Sequence, residues 1–207
     1  MLYYLSMFTV ELLKKLYLAD GLSVSVISKK YNCSQGKVNY WLKKYSIPKR
    51  TISEAVYLQN NPKGNPFTVC IPKSNEDWFL YGMGIGLYWG EGNKMNNHAV
   101  RLGNTDPDLL KKFLNFLFYF YKIEKTRLRF GLQIFTDIDP EIAKKYWCKK
   151  LSINNNQFQK VVVSESLHKK GTYRKKSKYG VLTIYFSNTK LRDIIVDAIE
   201  KLREVPM

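Results

Sequence analysis

"LYGMGIGLYWGEGNK", residues 80 to 94, is the stretch on which the fold turns. Glycine stands at 82, 84, 86, 90 and 92 inside an apolar, aromatic run, and the run closes on one carboxylate, Glu91. Each glycine costs a helix roughly 1 kcal/mol relative to alanine, so a helix that accepts so many must regain stability by packing. Gly82, Gly86 and Gly90 follow i, i+4, i+8 spacing, which on a helix leaves one stripe bare of side chains. Two backbones can approach closely across it. The second backbone belongs either to another copy or to another element of the same chain.

Working outward, Ser74 with Asp77 predicts a capping box that opens this helix, which should run to about Gly90. After it, "HAVRLGN" reads as a short extended segment, and Asp106 with Pro107 opens an amphipathic helix through "KKFLNFLFYFYKI". "RLRFGLQIF" reads as a strand that alternates Arg127, Arg129 and Gln133 with apolar residues. Asp139 and Pro140 repeat the helix start. Strands "QFQKVVVSE" and "YGVLTIYFSN" then flank a basic loop, and "TKLRDIIVDAIEKLRE" closes as an amphipathic helix. Without regular βαβ alternation, this order predicts an α+β domain with an antiparallel sheet over residues 74 to 207.

Residues 1 to 50 form a separate head by pattern. Val10, Leu13, Leu16 and Tyr17 follow helical spacing, "DG" ends that helix, and Val24, Ile27 and Tyr31 mark a second. Ser34 is placed to cap a third helix with Val38, Trp41, Leu42 and Tyr45 inward. Its outer face is polar and basic. This is a helix-turn-helix pattern, whose last helix enters the major groove. Gln35, Lys37, Asn39 and Tyr40 are the candidate base readers, and Lys43, Lys44, Lys49 and Arg50 the candidate phosphate contacts. Residues 51 to 73, rich in Asn, Pro and Gly, predict a semi-flexible linker.

Charge agrees with a polyanionic partner. The 207 residues hold 34 Lys plus Arg against 17 Asp plus Glu, a net +17, with 45% hydrophobic content, enough for a packed core. Double-stranded DNA is the expected partner. Cys33, Cys70 and Cys148 are scattered without ligand spacing, which argues against a disulfide framework or zinc site and for a reducing environment. The first residues lack a signal-peptide pattern, and no apolar run nears the ~20 residues that span a bilayer, so a cytoplasmic protein without membrane contact is expected. "HKKGTYRKKSKYG", residues 168 to 180, interleaves Lys169, Lys170, Arg174, Lys175, Lys176 and Lys178 with Tyr173 and Tyr179, and reads as a phosphate-gripping loop.

"GIGLYWGEG", residues 84 to 92, resembles a divergent form of the motif that names the LAGLIDADG homing endonuclease family. Gly86 falls on its central glycine, Leu87 on the next leucine, Gly90 on the small residue, Glu91 on the last acid and Gly92 on the final glycine. Trp89 stands where the family often has its first aspartate, and Gly84 and Ile85 replace Leu and Ala. The resemblance implies a sheet saddle for DNA and a homodimer joined through Gly82, Gly86, Gly90 and Leu87. It further implies that Glu91 serves as catalytic residue and ligand to Mg²⁺ or Mn²⁺ for phosphodiester hydrolysis. A divalent cation would relieve a carboxylate at a helix C-terminus, where the dipole disfavours negative charge by ~0.3–1 kcal/mol. Lys94, Gln133 and Lys178 are possible helpers without a motif to place them. The alternative is a non-cleaving transcriptional regulator on the same scaffold, and a third reading is an RNA splicing cofactor.

Overall fold

Four hydroxyl side chains set the helix starts of the N-terminal region. Thr9, Ser23 and Ser34 each accept a first-turn backbone N–H at 3.2 Å, and Thr51 makes a reciprocal capping box with Glu54. They open α1 (Val10–Leu13, continued by a π-helical stretch Lys14–Ala19), α2 (Val24–Lys30), α3 (Gln35–Lys44) and α4 (Ile52–Asn60). Phe8, Leu13, Leu16, Tyr17, Ile27, Val38, Leu42 and Ile47 bury together as the core of this region.

The structure is a computed structural model that describes residues 7–165 and 177–204. The chain divides into two units, Met1–Asn65 and Pro66–Met207. The stretch expected as a linker is therefore structured on both sides of the division. α4 belongs to the first unit. Residues 66 to 70 strap onto the second: Phe67 is buried in its core, and the Thr68 and Cys70 amides donate to the Tyr121 and Phe120 carbonyls at 2.8 and 2.7 Å. Those carbonyls end a helix and would otherwise lack donors, which is why an Asn-, Pro- and Gly-rich sequence is held there.

The second unit is α+β. α5 (Asn75–Glu91), α6 (Pro107–Tyr121), α7 (Pro140–Leu151) and α8 (Thr189–Arg203) accompany β1 (Val100–Asn104), β2 (Arg129–Phe135), β3 (Val162–Ser164) and β4 (Val181–Phe186). Ser74 caps α5 by accepting from the Asp77 amide, but Asp77 returns its carboxylate to the Lys73 amide at 2.9 Å, one residue before the expected partner. Asp106 and Asp139 cap α6 and α7 with proline in the first turn, as their sequences predict.

The four-stranded sheet has the order β1-β4-β2-β3. It is mixed, and the expectation of a purely antiparallel sheet needs correction. β4 runs antiparallel to β1 and β2, whereas β3 lies parallel to β2. The chain leaves β2, passes through α7 and returns, and a helical crossover delivers the next strand in parallel. On one sheet face Val100, Leu102, Phe130, Leu132, Ile134, Leu182, Ile184 and Phe186 bury with the helices around Phe113, Phe116, Leu117, Trp147 and Ile195. No helix among the described residues is long and apolar enough to cross a membrane.

Candidate nucleic-acid interface and the carboxylate at the end of α5

The five glycines of α5 and its end divide into two groups. A Cβ at Gly84 would lie 2.1 Å from the Phe116 ring, and one at Gly92 would lie 2.4 Å from Tyr88. These two give the close approach within the chain. A Cβ at Gly82, Gly86 or Gly90 would meet nothing within 4 Å. Their stripe faces away from the unit's own core, and beside it Phe79 is 72% and Trp78 57% exposed. Leu87 departs from the expectation: it is half-buried against its own core, because it lies about 100° around the helix from Gly86.

Thirteen consecutive residues, Trp78 to Gly90, carry no charge, and Glu91 follows as the last residue of the helix. Glu91 is exposed and bonds no described side chain. Lys94 donates its Nζ to the Trp89 carbonyl at 2.6 Å, which uses the ammonium to close the helix end. Trp89, 40% exposed, stands 5.5 Å from the Arg203 guanidinium of α8. At the other end, Tyr119 donates to the Asp77 carboxylate at 2.9 Å. The Lys73 amide and this hydroxyl hold the Asp77 carboxyl below its usual range.

The second sheet face is half-exposed to exposed among the described residues. Arg101, Tyr185 and Arg129 form one row across β1, β4 and β2, and Gly103, Thr183 and Gly131 form the next. Gln133 pairs with Val181 and Val162, and its amide reaches the Ser164 hydroxyl at 3.4 Å. Gly131 leaves room for the Tyr185 ring, since a Cβ there would come within 2.8 Å of it. Among the described residues no strand carries Asp or Glu.

Arg129 and Gln133 thus share this face, with the Arg129 guanidinium folded onto the Thr126 and Leu128 carbonyls at 2.7 and 2.8 Å. Arg127 does not. It ends the 3-10 turn Lys125–Arg127 before the strand begins, so the strand alternation does not extend to it. Lys178 is exposed, with its Nζ 5.6 Å from the Tyr179 ring centre. Lys169, Lys170, Arg174, Lys175 and Lys176 lie outside the described residues.

In the first unit, Ser34 begins α3 where expected, and Gln35, Lys37, Tyr40, Lys43 and Lys44 are exposed on it. Asn39, Tyr40, Lys43 and Lys49 line one concavity of about 570 Å³ with Gly36 and Pro48. Lys44 lies 4.6 Å from the Trp41 ring. Arg50 is placed differently from the expectation of a phosphate contact. Its guanidinium is half-buried and donates to the carbonyls of Gly21 and Leu22 at 2.9 and 2.8 Å and to that of Tyr17. The Tyr17 carbonyl lies in the last turn of the first helix and those of Gly21 and Leu22 follow it, where helical donors run out, so the arginine is committed to closing the unit.

Sequence reading missed Arg101, Tyr185 and Arg192. The first two were legible from alternation in "VRLGN" and "VLTIYF", had their row with Arg129 been known; Arg192 looked like one more charge on an amphipathic helix. Compared with known proteins, the chain matches no family model, no curated protein and no solved structure.

Proposed function

We propose that this chain is a sequence-specific DNA-binding protein that works as a homodimer and hydrolyses DNA phosphodiesters with a divalent metal. The scaffold in this reading is LAGLIDADG-like, with a helix-turn-helix head. The observation that carries the DNA reading is the second face of the sheet, where Arg101 and Arg129 flank Tyr185 and no strand among the described residues holds a carboxylate, in a chain of net +17. The exposed basic side chains of α3 support a separate reading element.

The homodimer rests on the bare stripe of α5. Its glycines meet nothing within 4 Å in their own chain and the run from Trp78 to Gly90 is uncharged, so the like charges that a second α5 would bring close are the two Glu91 carboxylates at the end of the stripe. Among the described residues no three His, Cys, Asp or Glu gather around one point. Each chain would therefore offer one carboxylate, Glu91, and Mg²⁺ or Mn²⁺ would draw its other oxygens from the second copy, water and phosphate, which suits a hard cation. When bound, the metal would supply charge neutralisation and an activated water. Glu91 would hold it at a stated place, and the basic sheet face would position the backbone.

Glu91→Gln tests this reading. It keeps the side chain's size and removes the charge, so specific binding should persist while Mg²⁺-dependent cutting falls by orders of magnitude. Equal cutting by both proteins would sink the assignment. One observation favours the regulator as a second reading: Trp89 stands beside Arg203, at the position where the motif that the chain resembles often has aspartate. In that case the parent cuts no DNA that it binds specifically in either metal.

A further inference from the structure

Arg101 and Arg192 each hold one side-chain donor that the second unit leaves without a partner among the described residues. The Nε of each is sealed from solvent and bonds nothing among the described residues. Arg192 engages its other nitrogens, with Nη1 at 3.1 Å from the Asp193 carboxylate and Nη2 donating to the Lys94 carbonyl. Arg101 has the face of Tyr185, 5.0 Å away, and no ion pair among the described residues. A buried donor left without an acceptor is costly, and a fold that holds two such donors gains from a bound anion that accepts from them.

Their backbone and side-chain contacts bring both to one place. The Asn93 amide donates to the Arg101 carbonyl at 2.9 Å, Gly92 bridges to Leu102, and Arg192 grips the Lys94 carbonyl, so residues 92 to 94 run between them. β1 is the first strand in the sheet order, and this segment lies along its edge. Tyr88, whose hydroxyl donates to the Asn93 carbonyl at 3.1 Å, feels both charges. Burial raises its phenol, while the Arg101 amide and the Arg192 and Arg101 charges oppose that rise.

We propose that Arg101 and Arg192 form a binding site for one phosphate oxyanion at the β1 edge, beside the end of α5. Each guanidinium presents a planar fork of N–H donors that matches a tetrahedral oxyanion, and the like charges that repel when empty both attract it. The phosphate belongs either to a nucleic-acid backbone or to free phosphate. The site requires neither Glu91 nor cleavage.

The test uses the full chain, Arg101→Gln, Arg192→Gln and the charge-keeping Arg101→Lys. Thermal midpoints are measured against inorganic phosphate at constant ionic strength with chloride as control, and duplex binding is measured by anisotropy across a salt series. Phosphate should raise the parent midpoint. Both glutamine variants should lose at least tenfold in phosphate affinity, the loss expected of a charged hydrogen bond, and Arg101→Lys less. Without phosphate, Arg101→Gln should be as stable as the parent or more so, which a purely structural arginine would not allow. If the ligand is backbone phosphate, Arg101→Gln should also flatten the salt slope of duplex binding by about 0.9 for one lost contact. An unchanged slope beside a lost phosphate effect assigns free phosphate and leaves the site standing. A parent that binds phosphate but no duplex sinks the DNA reading alone. Identical phosphate response and identical salt slope in parent and variants overturn the site.

Discussion

Substituting alanine for glycine at two positions of α5, two residues apart, should change stability with opposite sign. At Gly86 the added methyl enters open space, so the helix keeps the propensity gain of roughly 1 kcal/mol and nothing opposes it in the single chain. At Gly84 the same methyl would sit 2.1 and 2.2 Å from two carbons of the Phe116 ring. That ring is packed among Phe113, Phe120 and Tyr121, all buried, and has little freedom to withdraw. Overpacking of this kind costs about 1–3 kcal/mol, and subtracting the propensity gain leaves a net loss of up to about 2 kcal/mol. For a chain of this size each kcal/mol corresponds to about 2–4 °C in Tm. The assay is urea unfolding followed by circular dichroism, with protein dilute enough that sedimentation shows monomer. Gly86→Ala should then be more stable than the parent and Gly84→Ala less. If Gly86→Ala is destabilised in dilute monomer, the stripe is packed within its own chain and the argument for a second copy fails.

Four further outcomes follow from the geometry. Gly86→Leu should leave the dilute monomer folded yet shift sedimentation at micromolar concentration from dimer toward monomer; a parent that is monomeric even with DNA contradicts the interface. Arg50→Ala should lower the stability of the first unit by about 2 kcal/mol, because its charged hydrogen bonds to carbonyls are lost, while Lys43→Ala should leave stability unchanged and weaken DNA binding uniformly. Lys37→Ala or Asn39→Ala should change sequence preference, with a lost base contact worth ~1–3 kcal/mol, which selection from randomised DNA would reveal. The depressed Asp77 carboxyl stabilises the fold above the unfolded pKa of about 3.9, and this stabilisation disappears as pH falls through the lower folded value. Asp77→Asn should flatten acid-side loss of stability in a pH series, and an unaltered profile would show that the carboxyl's bonds to the Lys73 amide and the Tyr119 hydroxyl together contribute nothing.

Local chemistry was the legible part of this sequence. Ser34, Ser74, Asp106 and Asp139 announce their helix starts because a cap is a contact between residues two or three apart. The stripe at 82, 86 and 90 was equally legible, being helical periodicity alone. What stayed hidden depends on partners distant in sequence. Arg50 reads as a free basic residue until its carbonyl partners, 28 to 33 positions earlier, fold around it. The strand itself was legible in "QFQKVVVSE", but the parallel placement of β3 depends on where α7 returns the chain. The Arg101 and Arg129 row arises only when β4 inserts between two strands that the sequence separates by a helix. The role of Gly84 depended on Phe116, which periodicity could not supply.

The strap formed by residues 66 to 70 also bears on how such a chain could be rearranged by recombination. A junction drawn at Arg50 would carry α4 away from the first unit, to which it belongs, and one drawn after residue 70 would strip donors from the Phe120 and Tyr121 carbonyls and a buried ring, Phe67, from the second unit. A junction between Asn65 and Pro66 breaks neither core. Transplanting the head onto another body, or replacing it to redirect the body, is therefore expected to succeed at that peptide bond and to yield poorly folded chimaeras when made fifteen residues earlier, at Arg50.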